Sequence, residues 1–268
     1  MKISIIATSL FAALMLVDCV TAAPTRHPRH DARAVQLQKQ SDELQHEPAQ
    51  LRQQRSQQDL AGEQSVKPGI NKSWKSENLE PLIARLEGES REIFKHSDTI
   101  AAAVGVHEGM VVADVGAGSG FMAQIFAKLA GDTGKIYAVD INAKMMERLA
   151  NAAKENGVEN LSTVVCSEKS VNLPPNSIDL MFICDTFHHF EYPRNTLQSI
   201  YQAMRPGGQV VVVDFYRIPG VSQEWVFDHV RAGEEVFTQE IVNAGFELIN
   251  THYLPQLKEN YMLRFRKP

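Results

Sequence analysis

Residues 111–120 read "VVADVGAGSG", and the fold of the chain turns on how this stretch is understood. Val111 to Val115 is the short apolar run of a buried strand. It carries one acid, Asp114, and gives way to Gly116, Gly118 and Gly120. A dinucleotide fingerprint would want glycines at 116, 118 and 121, and Phe121 fills the last place, so a nicotinamide cofactor fits poorly. Glycines that lack a side chain let backbone approach a ligand. Free amides at the start of a helix opening near Ser119 favour a carboxylate or another anionic group. An acid at the end of the strand suits a ligand that carries an ammonium group. The competing interpretation is a tight turn that holds nothing.

Outward from this turn the pattern alternates. Strand candidates are Val111 to Val115, Lys135 to Val139, Leu161 to Cys166, Ile178 to Cys184 and Gln209 to Phe215, and most of the runs between them have helical spacing. Strands alternating with helices imply an α/β fold with a parallel sheet covered on both faces. "RPGG" at 205–208 predicts a tight turn into the fifth strand. A single helix is expected from about Gln223 to Ala244, stopped by Gly245. Two edge strands, Phe246 to Tyr253 and Asn260 to Arg266, then form an antiparallel pair. Ahead of the first strand, Leu79 to Leu86 and Ile93 to Val104 predict two short helices, with order beginning near Trp74.

The 268 residues suit one domain of roughly 200 residues plus tails. An apolar share of 44% with 22% charged residues can build a sizeable core, and a net charge of −5 gives no reason to expect a nucleic-acid partner. Residues 1–22 have the form of a secretory signal peptide: Lys2, an apolar stretch from Ile3 to Val17, and small residues near Ala22. Export and secretion are therefore expected, with no stable membrane anchor after cleavage. Asp18 argues against lipidation of Cys19. Residues 23–73 are rich in Gln and charge, without an aromatic residue between Phe11 and Trp74, and predict a disordered tail. Leu37, Leu44 and Leu51 hint at a helix seam that Pro48 interrupts, and His27 and His30 form either a metal pair or a solvated one.

Asp140 closes the second strand in "IYAVDIN", about twenty residues past the last glycine. A carboxylate there accepts the two hydroxyls of a ribose, or else caps the helix starting near Asn142. With "DVGAGSG", "YAVDIN", "LPPNSIDLMF" and "MRPGGQVVVVDF" in register, the chain from about Ala84 to Phe265 resembles a class I S-adenosylmethionine-dependent methyltransferase, most of all the quinone-biosynthesis branch. The resemblance implies a Rossmann-like seven-stranded sheet of order 3-2-1-4-5-7-6, the last strand antiparallel, with cofactor and substrate above the carboxyl ends of the strands. It implies S-adenosyl-L-methionine as cofactor. Asp114, Gly116, Ala117, Gly118 and Gly120 would surround the methionine part, and Asp140 with Ile141 would hold the ribose. The family usually has an Asp after its third strand on the adenine amine. Here Ser167 and Glu168 stand there, and Glu168 is the substitute. Asp185 falls at the end of the fourth strand, on the same side. That sheet order leaves two strands between Cys166 and Cys184, which puts their strand ends roughly 14 Å apart at about 4.8 Å per strand, too far for a disulfide. Two free, buried thiols are expected.

Methyl transfer from a sulfonium is an in-line displacement, so the enzyme chiefly aligns the reactants and excludes water. A phenol, enol or carbon acid must also lose a proton, and histidine is the usual base near neutral pH. "CDTFHHFEYP" after the fourth strand offers Asp185, His188 and His189; one of the two histidines is expected to face the core or bind backbone, and both could be structural. His229 and Arg231 either reach an acidic substrate or form a solvated face. Tyr216 and His96 are further pocket candidates. "CDTF" replaces the Asn/Asp-Pro-Pro-aromatic motif of amino-methylating enzymes, the thiols are too few for arsenite chemistry, and Asp214-Phe215 replaces the Asp-Asn of metal-dependent catechol sites. A small-molecule acceptor and no metal remain. The rival interpretations are a secreted binding or effector protein that keeps the fold without turnover, an aminopropyl transferase, and a lipid or quinone methyltransferase.

Overall fold

The structure is a computed structural model that describes Lys39, Leu60, residues 62–89 and residues 91–268. The leader, Cys19 and most of the Gln-rich tail lie outside the described residues.

Seven strands form one sheet in the order β3-β2-β1-β4-β5-β7-β6. They are β1 (Val111–Val115), β2 (Lys135–Asp140), β3 (Leu161–Val165), β4 (Ile178–Cys184), β5 (Met204–Phe215), β6 (Glu247–His252) and β7 (Asn260–Arg266). The first five pair in parallel, and β7 runs antiparallel to both β5 and β6. This is the expected order.

Strand residues alternate between two cores. Val112, Ile136, Leu180, Phe182, Val211 and Met262 face one side. There they pack against Ile100 of α3 (Ser97–Val104), Phe126 of α4 (Phe121–Ala130) and Met146 of α5 (Ala143–Glu155). Ala113, Val139, Met181, Ile183, Val212 and Leu263 face the other. That side meets Leu197 and Ile200 of α6 (Pro193–Ala203) and Phe237 and Ile241 of α8 (Glu234–Asn243). Strands buried on both faces explain the near-continuous apolar runs in the sequence.

Four expectations change. Between Asn78 and β1 the described residues form three α-helices rather than two, α1 (Glu80–Glu89), α2 (Arg91–Lys95) and α3, because the chain breaks at His96, whose φ of −115° and ψ of 22° are not helical. "RPGG" lies inside β5 as an irregularity rather than ahead of it. Gly207 takes φ +78°, and the register with β4 jumps between the Ile178–Met204 and Leu180–Gln209 pairs. The expected long helix is two, α7 (Glu224–His229) and α8, separated at Val230 with its extended φ and ψ of −75° and 117°.

The fourth concerns the start of order, which precedes Trp74. The Glu63 carboxylate is buried and accepts hydrogen bonds from the amides of Arg194 (2.7 Å) and Asn195 (2.8 Å) and from Asn195 Nδ2 (2.6 Å). It thereby caps the first turn of α6 from 130 residues upstream, where an anion is favoured. Glu63→Ala is expected to lower stability by about 1–2 kcal/mol, the range for a lost helix cap. Urea unfolding of the full chain measures this, and an unchanged midpoint would mean that the Glu63 cap contributes nothing to the stability of the fold.

Candidate active site

A cleft opens above the carboxyl ends of β1, β2 and β4. Gly116, Gly118, Asp140, Ile141, Glu168, Asp185 and His189 are on its wall. Parallel strands leave a crevice here because their connections leave the sheet on opposite faces.

The glycine turn is built for close packing. Gly116, Gly118 and Gly120 take φ of +77°, +52° and +79°, values that favour glycine. A Cβ on Gly116 would stand 2.0 Å from Thr186 Oγ1, and one on Gly120 would stand 2.4 Å from Leu149 Cδ1. The amides of Gly116 and Ala117 both donate to the Val139 carbonyl, at 2.7 and 3.0 Å, which folds the turn back onto β2. Gly118 donates to Asp140 Oδ2 at 2.9 Å, and Gly120 donates to the Ala117 carbonyl at 2.8 Å. The amides of Gly116, Ala117, Gly118 and Gly120 are therefore engaged within the protein, and these glycines serve close approach.

Asp114 is not on the cleft wall. It shares the face of Val112, so its side chain points beneath the turn toward α4 and accepts a bond from the Ala123 amide. Burial pushes its carboxyl up to about 7, with the negative charge of Asp140 adding to the shift. Ala117 and Gly120 also stand off the wall, so all three of these positions shape the turn from behind.

Asp140 stands at the mouth of β2. Its two oxygens accept from Gly118 and, at 2.8 Å, from the Asn142 amide. Burial raises its pKa, and backbone donors at Asn142, Gly118 and Ile141 oppose the shift. The helix cap is Asn142 rather than Asp140: Asn142 Oδ1 accepts the Met145 amide at 2.9 Å. A carboxylate offers about four lone-pair sites, so the backbone bonds to Asp140 leave acceptor capacity for a hydroxyl donor.

Glu168 lies on the wall and pairs with Lys75 at 2.5 Å. Asp185 is held at φ +47°, and its Oδ1 accepts from Asn260 Nδ2 at 2.6 Å. Sequence reasoning missed Asn71, Trp74, Leu86, Val171, Thr186 and Phe190, which also line the wall. A lone tryptophan after sixty residues without an aromatic was the available signal for Trp74.

The paired histidines part ways. His188 is buried, and its Nδ1 lies 2.8 Å from Asp214 Oδ1. His189 reaches the cleft, and its Nε2 lies 3.2 Å from Nε2 of His229. Arg231 is neither solvated nor substrate-facing: it grips both carboxylate oxygens of Glu240, at 2.8 and 2.6 Å, between the rings of Phe187 and Phe237. Tyr216 lines a separate hollow beside Trp225, and His96 is off the cleft wall.

Cys166 and Cys184 are free and half-buried. Burial, followed by nearby carboxylates, pushes the Cys166 thiol up to about 12 and the Cys184 thiol well above its ordinary value. Both should resist a thiol reagent at neutral pH by at least about 100-fold relative to the unfolded chain, since the thiolate is the nucleophile. Peptide mapping after timed labelling tests this, and fast native labelling of either would refute the burial.

A glycine turn under a crevice, an acid at the end of β2 and this strand order define a class I S-adenosylmethionine-dependent methyltransferase. Residues 106–264 match the family described as "Methyltransferase domain", and the chain belongs to it. It is 30% identical over 118 residues to the "Ubiquinone/menaquinone biosynthesis C-methyltransferase UbiE" of Hydrogenovibrio crunogenus, covering 42% of this chain and 45% of that protein. With its namesake from Escherichia coli O1:K1 / APEC it shares 30% over 112 residues, 41% of this chain and 45% of that protein. The chain thus spans under half the length of the curated relatives it matches. Among solved structures, a SAM-dependent methyltransferase from Aquifex aeolicus superposes with a TM-score of 0.58 at 22% identity, over 75% of this chain and 99% of that one. The [4+2]-cyclase SpnF superposes at 0.54 and 18% identity, over 65% and 80%. These likenesses show the fold.

Family and fold imply S-adenosylmethionine as the cofactor, and the residues present suit it. Gly116 and Gly118 give backbone without side chains on the wall, and Asp140 retains acceptor capacity. Ile141, Val171 and Phe190 supply apolar surface, as an adenine face requires.

Proposed function

We propose that the chain transfers the methyl group of S-adenosylmethionine to a small hydroxylated or acidic-carbon acceptor that enters the cleft beside His189. The observation that carries this is the convergence of the glycine turn, Asp140 and His189 on one cleft. When bound, the cofactor supplies an electrophilic methyl carbon on a sulfonium.

The chain's own contribution is positioning. Thr186 packs against Gly116 and donates to the Cys184 carbonyl at 2.7 Å, which fixes the wall between cofactor and acceptor sides. Trp74 stands edge-on to His189 at 5.7 Å and, with Leu82 and Leu86, closes the cleft with apolar surface that excludes water. His189 is the ionisable side chain placed to receive a proton as a phenol or enol reacts. His188, buried behind it, acts as a positioning residue. The relatives' name, a C-methyltransferase of ubiquinone and menaquinone biosynthesis, supports a carbon atom of a quinone-related ring as the acceptor class. The leader-like pattern at 1–22 supports export of the protein. Among the described residues no helix is long and apolar enough to cross a membrane.

The test incubates the full chain with S-adenosylmethionine and a panel of phenolic and naphtholic acceptors, reading S-adenosylhomocysteine. Turnover that falls at least tenfold in His189→Gln supports the assignment. Cofactor binding without any turnover would favour a non-catalytic secreted protein that keeps the fold.

A further inference from the structure

His188, His189 and His229 each offer one ring nitrogen, and these three atoms all lie within 4.8 Å of one another. We infer that the three imidazoles form a site for a single first-row transition ion, with zinc the best match, at the acceptor end of the cleft. Metal–nitrogen bonds of about 2.0–2.1 Å at tetrahedral angles set ligand nitrogens roughly 3.3 Å apart. The Nε2 atoms of His189 and His229 stand 3.2 Å apart already.

His188 is oriented for the same task. With the Asp214 carboxylate accepting at 2.8 Å, its Nδ1 carries the proton and its Nε2 keeps the lone pair. That is the carboxylate–histidine arrangement which fixes ring orientation and raises ligand basicity at metal sites. Asp214 is itself pinned, accepting from the amides of His188 (3.1 Å) and Phe215 (2.8 Å), and its buried charge offsets part of a dication.

The two segments that carry the histidines are stapled together by the arm ahead of α1. Asn71 donates to the His189 carbonyl at 3.0 Å, and Lys67 donates to the carbonyls of Asp228 (2.6 Å) and His229 (2.7 Å). Trp74, Phe215 and Trp225 each place a ring within 6 Å of one of the three imidazoles. Three neutral nitrogen donors in an apolar shell suit zinc and its neighbours and leave magnesium or calcium without the oxygens they require.

Three protein ligands leave a fourth position, as in catalytic rather than structural zinc sites. His189 is on the cleft wall, so an acceptor hydroxyl would complete the shell and pass its proton to solvent, with His189 then holding the ion rather than taking the proton itself. That last step rests on the function proposed above; metal binding does not.

Chelator-treated full-length protein titrated with Co²⁺ and then Zn²⁺ tests the site. The expected result is uptake of about one Co²⁺ per chain with the visible absorption of four-coordinate cobalt, displaced by Zn²⁺. His229→Gln and, separately, His189→Gln should weaken uptake at least 100-fold while circular dichroism stays native. Asp214→Asn should weaken it about 10–100-fold. The His27→Ala/His30→Ala variant should bind like the wild type. No stoichiometric uptake, uptake that survives His229→Gln, or uptake that vanishes with the tail variant would overturn the site and leave a simple hydrogen bond between His189 and His229. S-adenosylmethionine titrated into the same chelated protein keeps the two proposals separable. Metal uptake without cofactor binding would overturn the function and leave the site standing, and the reverse would overturn the site alone.

Discussion

Asp140→Asn should weaken S-adenosylmethionine binding by about 100-fold or more. Two bonds from ribose hydroxyls to a charged acceptor, at about 1.5 kcal/mol each as a lower bound, amount to roughly 3 kcal/mol, and 1.4 kcal/mol is tenfold. The substitution has a second effect. Both carboxylate oxygens already hold backbone amides, Gly118 on one side and Asn142 on the other. An amide side chain keeps one acceptor and turns a donor toward the other N–H, so the glycine turn comes loose from the end of β2. Calorimetric titration of the full chain reads the loss, beside Glu147→Gln on the exposed face of α5 as a neutral control. Wild-type affinity in Asp140→Asn would mean that the polar end of the cleft does not hold a ribose, and the functional proposal would fail with it.

The strands and their order were legible because β1, β4 and the second half of β5 are buried on both faces, so their apolar runs stand out from polar connections, while β3 at the edge is only half-buried. The arm from Gly62 to Ser76 was not. It docks through single polar contacts, Glu63 to the α6 amides, Lys67 to the α7 carbonyls and Asn71 to the His189 carbonyl. Such contacts depend on partners more than a hundred residues away, and composition alone reads the segment as solvated. The site was half legible. Asp140 is an end-of-strand acid whose role depends on position along the strand. Asp114 depends on which face its side chain takes, and the alternation from Val112 places it toward α4. In the 3₁₀ turn Phe187–His189 successive side chains diverge by about 120°. Which histidine faces the core is therefore set by Asp214, a residue on another strand. The contact between His189 and His229 joins positions forty residues apart, and no local pattern announces it.

Stability should fall as pH rises from about 4 to 7, and Asp114 should be the main cause. The folded chain holds the Asp114 proton up to about 7, whereas the group's ordinary value is 3.8. Between those values the folded state binds one proton more than the unfolded state, so each pH unit costs about 1.4 kcal/mol of stability. The stabilisation is fully present below 3.8 and gone once pH has passed through about 7. Between about pH 5 and pH 8 the loss is roughly 3 kcal/mol, a large fraction of a typical domain's stability. Asp140, also raised by burial, acts in the same direction. Asp114→Asn keeps an oxygen for the Ala123 amide and cannot ionise, so its stability should depend less on pH and exceed that of the wild type at pH 8. Urea unfolding of both proteins at the two pH values gives the contribution as a difference, which cancels the titration of groups remote from Asp114 and retains its coupling to Asp140. Parallel pH dependence in the two proteins would show that Asp114 is ionised throughout. Its carboxylate would then be stabilised by the first turn of α4 strongly enough to outweigh burial, and the glycine turn would rest on two adjacent negative charges rather than one.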